Sequence, residues 1–72
     1  MKFPRLKDLR EDHDLTQAQI SILLGIKQTV YSRYERGIQD IPVRHLLVLA
    51  DYYRTSTDFL LGRTNNPAPP QK

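Results

Sequence analysis

Two short helical patterns separated by a single glycine, within the 23 residues from Leu15 to Gly37 (LTQAQISILLGIKQTVYSRYERG), limit what this chain can fold into. The first begins at Thr16, whose hydroxyl can accept from the backbone N–H of Gln19 while the Gln19 side chain reaches back, a capping box. Leu15 before the cap and Ile20 inside the helix form the matching hydrophobic staple. The pattern ends near Leu24, because Gly25 takes the positive φ that a sharp exit needs. A second helix fits Gln28 to Arg36 and is closed by Gly37.

At about 100° per residue, Gln28, Thr29, Ser32, Arg33 and Arg36 share one side of this second helix, and Val30, Tyr31 and Tyr34 point away from it. One face packs and the other presents amides, hydroxyls and guanidinium groups. Such groups read base edges: Gln pairs with adenine, Arg with guanine, and a Thr methyl packs on the methyl of thymine. Tyr31 and Tyr34 could also be taken for a base-stacking pair, but their spacing of three, opposite the polar side, assigns them to the core.

LTQ, the LG turn, YSRYERG, the later IP, LADYY and DFLLG together resemble the phage-repressor-type (Cro/repressor, XRE-like) helix-turn-helix family, over about residues 4 to 62. Arg63 to Lys72, with Asn65, Asn66 and three prolines, cannot form a packed element and reads as a disordered Pro/Asn-rich tail over 63–72; for the rest, the resemblance implies an all-α fold, a five-helix lambda-repressor-like DNA-binding domain over residues 1–62. It implies a transcriptional regulator of the repressor kind, with its second motif helix in the major groove of double-stranded DNA. The base-reading positions carried over are Gln28, Thr29 and Arg33, with Ser32 next. Gln17 matches the family's phosphate-anchoring glutamine, at a helix start where free N–H groups and the dipole favour an anion. Lys27, Arg36 and Arg44 complete the expected phosphate contacts. Lys27 departs from the pattern, since Lys offers only donors and cannot cap the recognition helix, a loss of about 1 kcal/mol. Asp40 departs too, placing a negative charge in a loop where relatives tend to be basic.

The first helix is expected from Pro4, well suited to a first turn, to about His13. Leu6, Leu9, Arg10 and His13 fall on one stripe, so Arg10 occupies a position where an apolar residue is expected. An unpaired buried charge is strongly unfavourable, and Glu35 is the candidate partner. From the residues alone, two solvated surface charges read equally well; the resemblance implies the Arg10–Glu35 ion pair. Ile22 and Leu23 stand where the family usually has polar residues. They are either covered by Phe3 or the tail, which we expect, or left as an apolar patch for a partner. Ser21 holds the small position that lets the two motif helices approach.

Pro42 announces a fourth helix over Val43 to Tyr53 with Leu46, Leu49, Ala50 and Tyr53 as its buried stripe, widened by Leu47 and Val48. Ser56 or Thr57 caps a short fifth helix through Leu61, whose Phe59 and Leu60 close the core. The dimer that such families use for two half-sites is expected to form through helix 5 and the apolar side of helix 4.

With 72 residues the chain makes one domain of modest core. Without Cys it has no disulfide or Cys-based zinc site to supplement that core. Eleven Lys and Arg against eight Asp and Glu leave a formal +3, compatible with a polyanion partner. The acidic residues Asp8, Glu11, Asp12 and Asp14 read as a solvated face turned away from DNA. No Gly-rich phosphate loop, nucleophile motif or metal-ligand set appears, so neither enzymatic activity nor a cofactor or metal is expected. No apolar run approaches the roughly 20 residues of a membrane helix, and the expectation is a cytoplasmic protein. The competing function is a protein-interaction module of the same fold, antirepressor- or antitoxin-like, acting through Ile22, Leu23 or the helix 4 and 5 surface.

Overall fold

The computed structural model describes residues 2–69. Five helices follow one another: α1 Pro4–Asp12, α2 Gln17–Leu24, α3 Gln28–Arg36, α4 Val43–Tyr53 and α5 Thr57–Leu60. The expected all-α, five-helix fold is therefore the fold observed. Of the expected disordered tail, residues 70–72 lie outside the described residues.

Local chemistry explains most of the boundaries. Thr16 Oγ1 accepts from the Gln19 N–H at 3.1 Å while Gln19 Oε1 accepts from the Thr16 N–H at 2.8 Å, so the capping box is complete. Ser56, rather than Thr57, caps α5 by accepting from the Phe59 N–H at 3.0 Å. Lys27 and Pro42 give α3 and α4 no side-chain cap.

Each helix contributes one of the five largest fully buried side chains: Leu6 from α1, Ile20 from α2, Tyr31 from α3, Leu49 from α4 and Leu60 from α5. The core is thus a single point of convergence, and on α2 the small Ser21 is buried, its Oγ donating to the Ala18 carbonyl at 2.7 Å. That internal bond satisfies a hydroxyl which would otherwise be costly to bury.

Several faces differ from the sequence expectation. On α1 only Leu6 is buried; Leu9 and Arg10 are half-buried and His13 is exposed, its ring 4.9 Å from that of Tyr53. On α4 the buried side is His45, Leu46, Leu49, Ala50 and Tyr53, and Leu47 and Val48 point outward instead of widening it. Phe3 does not cover Ile22 and Leu23. It packs against the core and lines a separate concavity with Leu60 and Leu61, and Ile22 stays 80% exposed. Phe59 is half-buried because the Arg5 guanidinium, 4.0 Å from its ring centre, takes one side of it. Arg5 also donates to the Phe59 carbonyl at 2.9 Å, to the Thr64 carbonyl and to Asn65 Oδ1 at 2.7 Å, fastening the residues after α5 to the first helix.

Gly25 and Gly37 both end helices at positive φ, +69° and +75°, but their surroundings differ. A Cβ on Gly25 would meet nothing within 4 Å, whereas one on Gly37 would lie 2.8 Å from Lys2 Cβ and 3.0 Å from the Lys2 backbone. Gly25→Ala is therefore expected to cost about 1–2 kcal/mol through its backbone alone, and Gly37→Ala measurably more. Equal losses in thermal melts of the two variants would mean that Lys2 moves aside freely.

His45 is buried, with Nδ1 3.5 Å from the Tyr34 hydroxyl. Burial, followed by the charge of Arg44, lowers its pKa from the usual 6.5. The folded state then resists protonation while the unfolded chain accepts it, so stability falls as pH drops below 6.5 towards the folded value. The melting temperature of the wild type is expected to decline over that window more steeply than that of His45→Gln; parallel curves would remove His45 as the cause.

Candidate nucleic-acid interface

The turn at Gly25, in the left-handed region, returns the chain so that α3 packs on α2. Tyr31, Tyr34 and Glu35 face inward from α3, while Gln28, Thr29, Arg33 and Arg36 are exposed and Ser32 is half-buried. Tyr31 and Tyr34 meet edge to face with ring centres 6.3 Å apart and have almost no exposed surface, so neither is open to stack on a base.

The polar side chains of α3 and the first residue of α2 form an open depression of about 460 Å³, lined by Gln17, Gln28, Thr29, Ser32, Arg33 and Arg36. Six of the eight DNA-contact candidates thus share one concave surface. Lys27 and Arg44 are exposed but do not line it. Arg36 Nε reaches the Ser32 carbonyl only at 3.4 Å, a loose tether that leaves the guanidinium free to turn outward. Because Lys27 supplies no cap, the leading N–H groups of α3 are left for water or an anion.

Behind the depression lies a buried polar cluster. Arg10 Nε donates to Glu35 Oε2 at 2.7 Å and Nη2 to Glu35 Oε1 at 3.1 Å, with side chains 12% and 3% exposed. Arg10 Nη1 donates to the Leu15 carbonyl at 2.8 Å, and Gln17 Nε2 donates to Glu35 Oε1 at 3.1 Å. The sequence reading paired Arg10 with Glu35 but missed the other two partners. The signal available was satisfaction: a guanidinium has five donors and a carboxylate about four acceptor sites, so a lone pair of residues leaves several unused.

Burial alone would raise the Glu35 pKa, but the hydrogen bonds from Arg10 and Gln17, with the Tyr31 hydroxyl close by, outweigh it and hold the carboxyl below its usual 4.5. The Tyr31 hydroxyl is buried without a well-formed hydrogen bond, and burial, then the adjacent Glu35, raises its pKa.

A second concavity of about 270 Å³, mostly apolar, is lined by Leu15, Gln19, Ile20, Ile22, Leu23 and Tyr52. It runs along α2 from Leu15 to Leu23, with Ile22 and Tyr52 standing open to solvent.

A helix pair with a one-glycine turn, polar outward and locked from within by an ion pair, defines a helix-turn-helix domain. A family model described as helix-turn-helix matches residues 6–60, and the chain belongs to this family, the Cro/repressor-type (XRE-like) helix-turn-helix proteins. It is similar to YobD, an HTH-type transcriptional regulator of Bacillus subtilis, at 38% identity over 65 residues, covering 90% of this chain and 58% of YobD. It is similar to PezA, an antitoxin of Streptococcus pneumoniae, at 30% identity over 57 residues, covering 79% of this chain and 36% of PezA. The crystal structure of a transcriptional regulator from Listeria innocua matches with a TM-score of 0.81 at 29% identity, covering 90% of this chain and 62% of that one. The chain therefore spans less than two thirds of the length of these relatives.

Arg10→Met leaves the Glu35 carboxylate buried without its main partner, a change that typically costs about 3–5 kcal/mol in a fully buried pair. A loss near the lower end is expected here, because Arg10 keeps some contact with water. An unchanged melting curve would show the pair to be without weight. The pH dependence has a definite sign. A carboxyl held below its usual value contributes stability that is complete above pH 4.5 and is lost as pH falls through the folded value. In Arg10→Met this acid-side slope is expected to shrink, because burial then acts against fewer opposing hydrogen bonds.

Proposed function

We propose that the chain is a sequence-specific double-stranded DNA-binding transcriptional regulator, acting as a repressor, with α3 in the major groove. The observation that carries this reading is the shared concave surface of Gln17, Gln28, Thr29, Ser32, Arg33 and Arg36, backed by inward-facing Tyr31, Tyr34 and Glu35. Gln28, Thr29, Ser32 and Arg33 read bases, and Gln17, Lys27, Arg36 and Arg44 hold phosphates and set the register. A helix of nine residues touches few base pairs. Specificity then comes from a homodimer on two half-sites, for which Val43 and Leu47 of α4 offer exposed apolar surface. No helix among the described residues is long and apolar enough to cross a membrane. The proposed setting is the cytoplasm, where the duplex is, and the proposed activity is binding without catalysis.

A second reading draws on the open apolar groove at Ile22, Leu23 and Tyr52 and on the resemblance to an antitoxin: a protein-interaction module of the same fold. Salt separates the two. Affinity of a basic reader for random-sequence duplex falls steeply as salt rises through counterion release, while a pure interaction module shows little binding at any salt.

Sites selected from a randomised DNA pool give the target for the variants. Arg33→Ala is expected to lose about 1–3 kcal/mol on that target and to relax preference at one base pair. Arg36→Ala should weaken selected and random duplexes alike and flatten the salt slope by about one. If both substitutions scaled binding equally on every duplex, this division between base and phosphate contacts would be wrong.

A further inference from the structure

Gln17 belongs to both polar systems of the molecule. Its side chain lines the depression with Gln28 and Arg33, and its amide nitrogen also donates inward to Glu35 Oε1 at 3.1 Å. We propose that Glu35, buried and out of reach of DNA, is a positioning residue for DNA binding: it holds Gln17 Nε2 from behind and orients the second N–H of that amide toward a phosphate oxygen. The inference rests on the DNA-binding reading above.

Three features support it. The carboxylate dictates which way the amide faces, because turning the Gln17 oxygen toward Glu35 would set two acceptors against each other. An amide nitrogen has two coplanar N–H groups, so committing one to Glu35 fixes the plane and hence the direction of the other. Ordering of a long side chain, which a mobile glutamine undergoes only on binding, is then already complete in the free protein. Arg10, bonded to the same Glu35 oxygens at 2.7 and 3.1 Å, balances the carboxylate charge that would otherwise repel a phosphate close by. The chain of contact is Arg10 to Glu35 to Gln17, from the inner side of α1 to the outer surface at the start of α2.

The first test uses the unmodified chain. By side-chain amide relaxation in nuclear magnetic resonance, the Gln17 NH2 group is expected to be markedly more ordered than those of exposed Gln28 and Gln39. Equal mobility overturns the proposal. The second test is a cycle built on Gln17→Met and on the paired replacement Arg10→Met with Glu35→Leu. Exchanging a buried ion pair for apolar side chains often preserves folding where breaking it does not, and circular dichroism verifies that here. Gln17→Met is expected to weaken selected and random duplexes by the same factor, about tenfold for one hydrogen bond to a charged group. The paired replacement should cost several-fold in the wild-type background and nothing further in the Gln17→Met background. The same loss in both backgrounds would make Glu35 merely structural and overturn the proposal. If Gln17→Met leaves binding unchanged while the wild type still binds duplex, the phosphate contact and this role fall but the DNA-binding reading survives. If the wild type binds no duplex at any salt, that reading fails and takes the proposal with it.

Discussion

The buried ion pair between Arg10 and Glu35 is the constraint on which the rest of this small domain depends. It joins α1 to α3 through two hydrogen bonds and, through the Leu15 carbonyl and the Gln17 amide, reaches both sides of the start of α2. A carboxylate this deeply placed is tolerable only because every bond it makes favours the charged form, and the lowered pKa of Glu35 expresses that balance. An apolar pair of similar volume could fill the same space at no loss of stability. What it could not supply is direction. Planar guanidinium, planar carboxylate and planar amide in sequence fix how three helices sit relative to one another at the place where α3 turns its polar side outward.

Apolar packing gives the cohesion that the ion pair does not. With one deeply buried side chain drawn from each helix, the core has a single centre, and no helix can leave without opening a cavity at that centre. This suits a chain of 72 residues without cysteine, where each helix is too short to be stable alone. The side of α3 turned to solvent can therefore be almost wholly polar. Tyr31 and Tyr34 provide its anchorage, and Gln28, Thr29, Arg33 and Arg36 contribute nothing to the core.

Where local rules govern, the sequence was legible. Thr16 with Gln19, Gly25 and Gly37 each act within one turn of the chain, and they place the limits of α2 and α3. Periodicity separated the inward tyrosines from the outward polar residues of α3 for the same reason. It misjudged α4, where apolar character extends around most of the circumference, so that hydrophobicity alone could not show that Leu47 and Val48 face out while His45 faces in. Long-range pairings were beyond it as well. Nothing near Arg5 in the chain announces Phe59, Thr64 and Asn65 as its partners, and nothing near Ile22 says that Phe3 sits with Leu60 and Leu61 instead. A charge on an apolar stripe asked for a partner but left two solvated charges equally plausible, and the family resemblance was what paired Arg10 with Glu35; the donors and acceptors left over in that pair signalled further partners without naming Gln17.

The two concave surfaces both border α2, and their closeness bears on how the proposed functions relate. Gln17 opens the helix and faces the polar depression, while Ile22 and Leu23 lie in its final turns beside Tyr52 and the apolar groove. At 1.5 Å per residue, an eight-residue helix is about 12 Å long, so a protein seated in the groove would sit within roughly one Debye length of DNA held at the depression. Such a partner need not compete for the same residues, yet its own charge would be felt at the phosphates. An acidic partner would weaken duplex binding and a basic one would strengthen it. A helix-turn-helix domain with an open apolar groove is on this view not a choice between reading DNA and binding protein, because the helix that carries Gln17, the proposed phosphate anchor, also borders the groove.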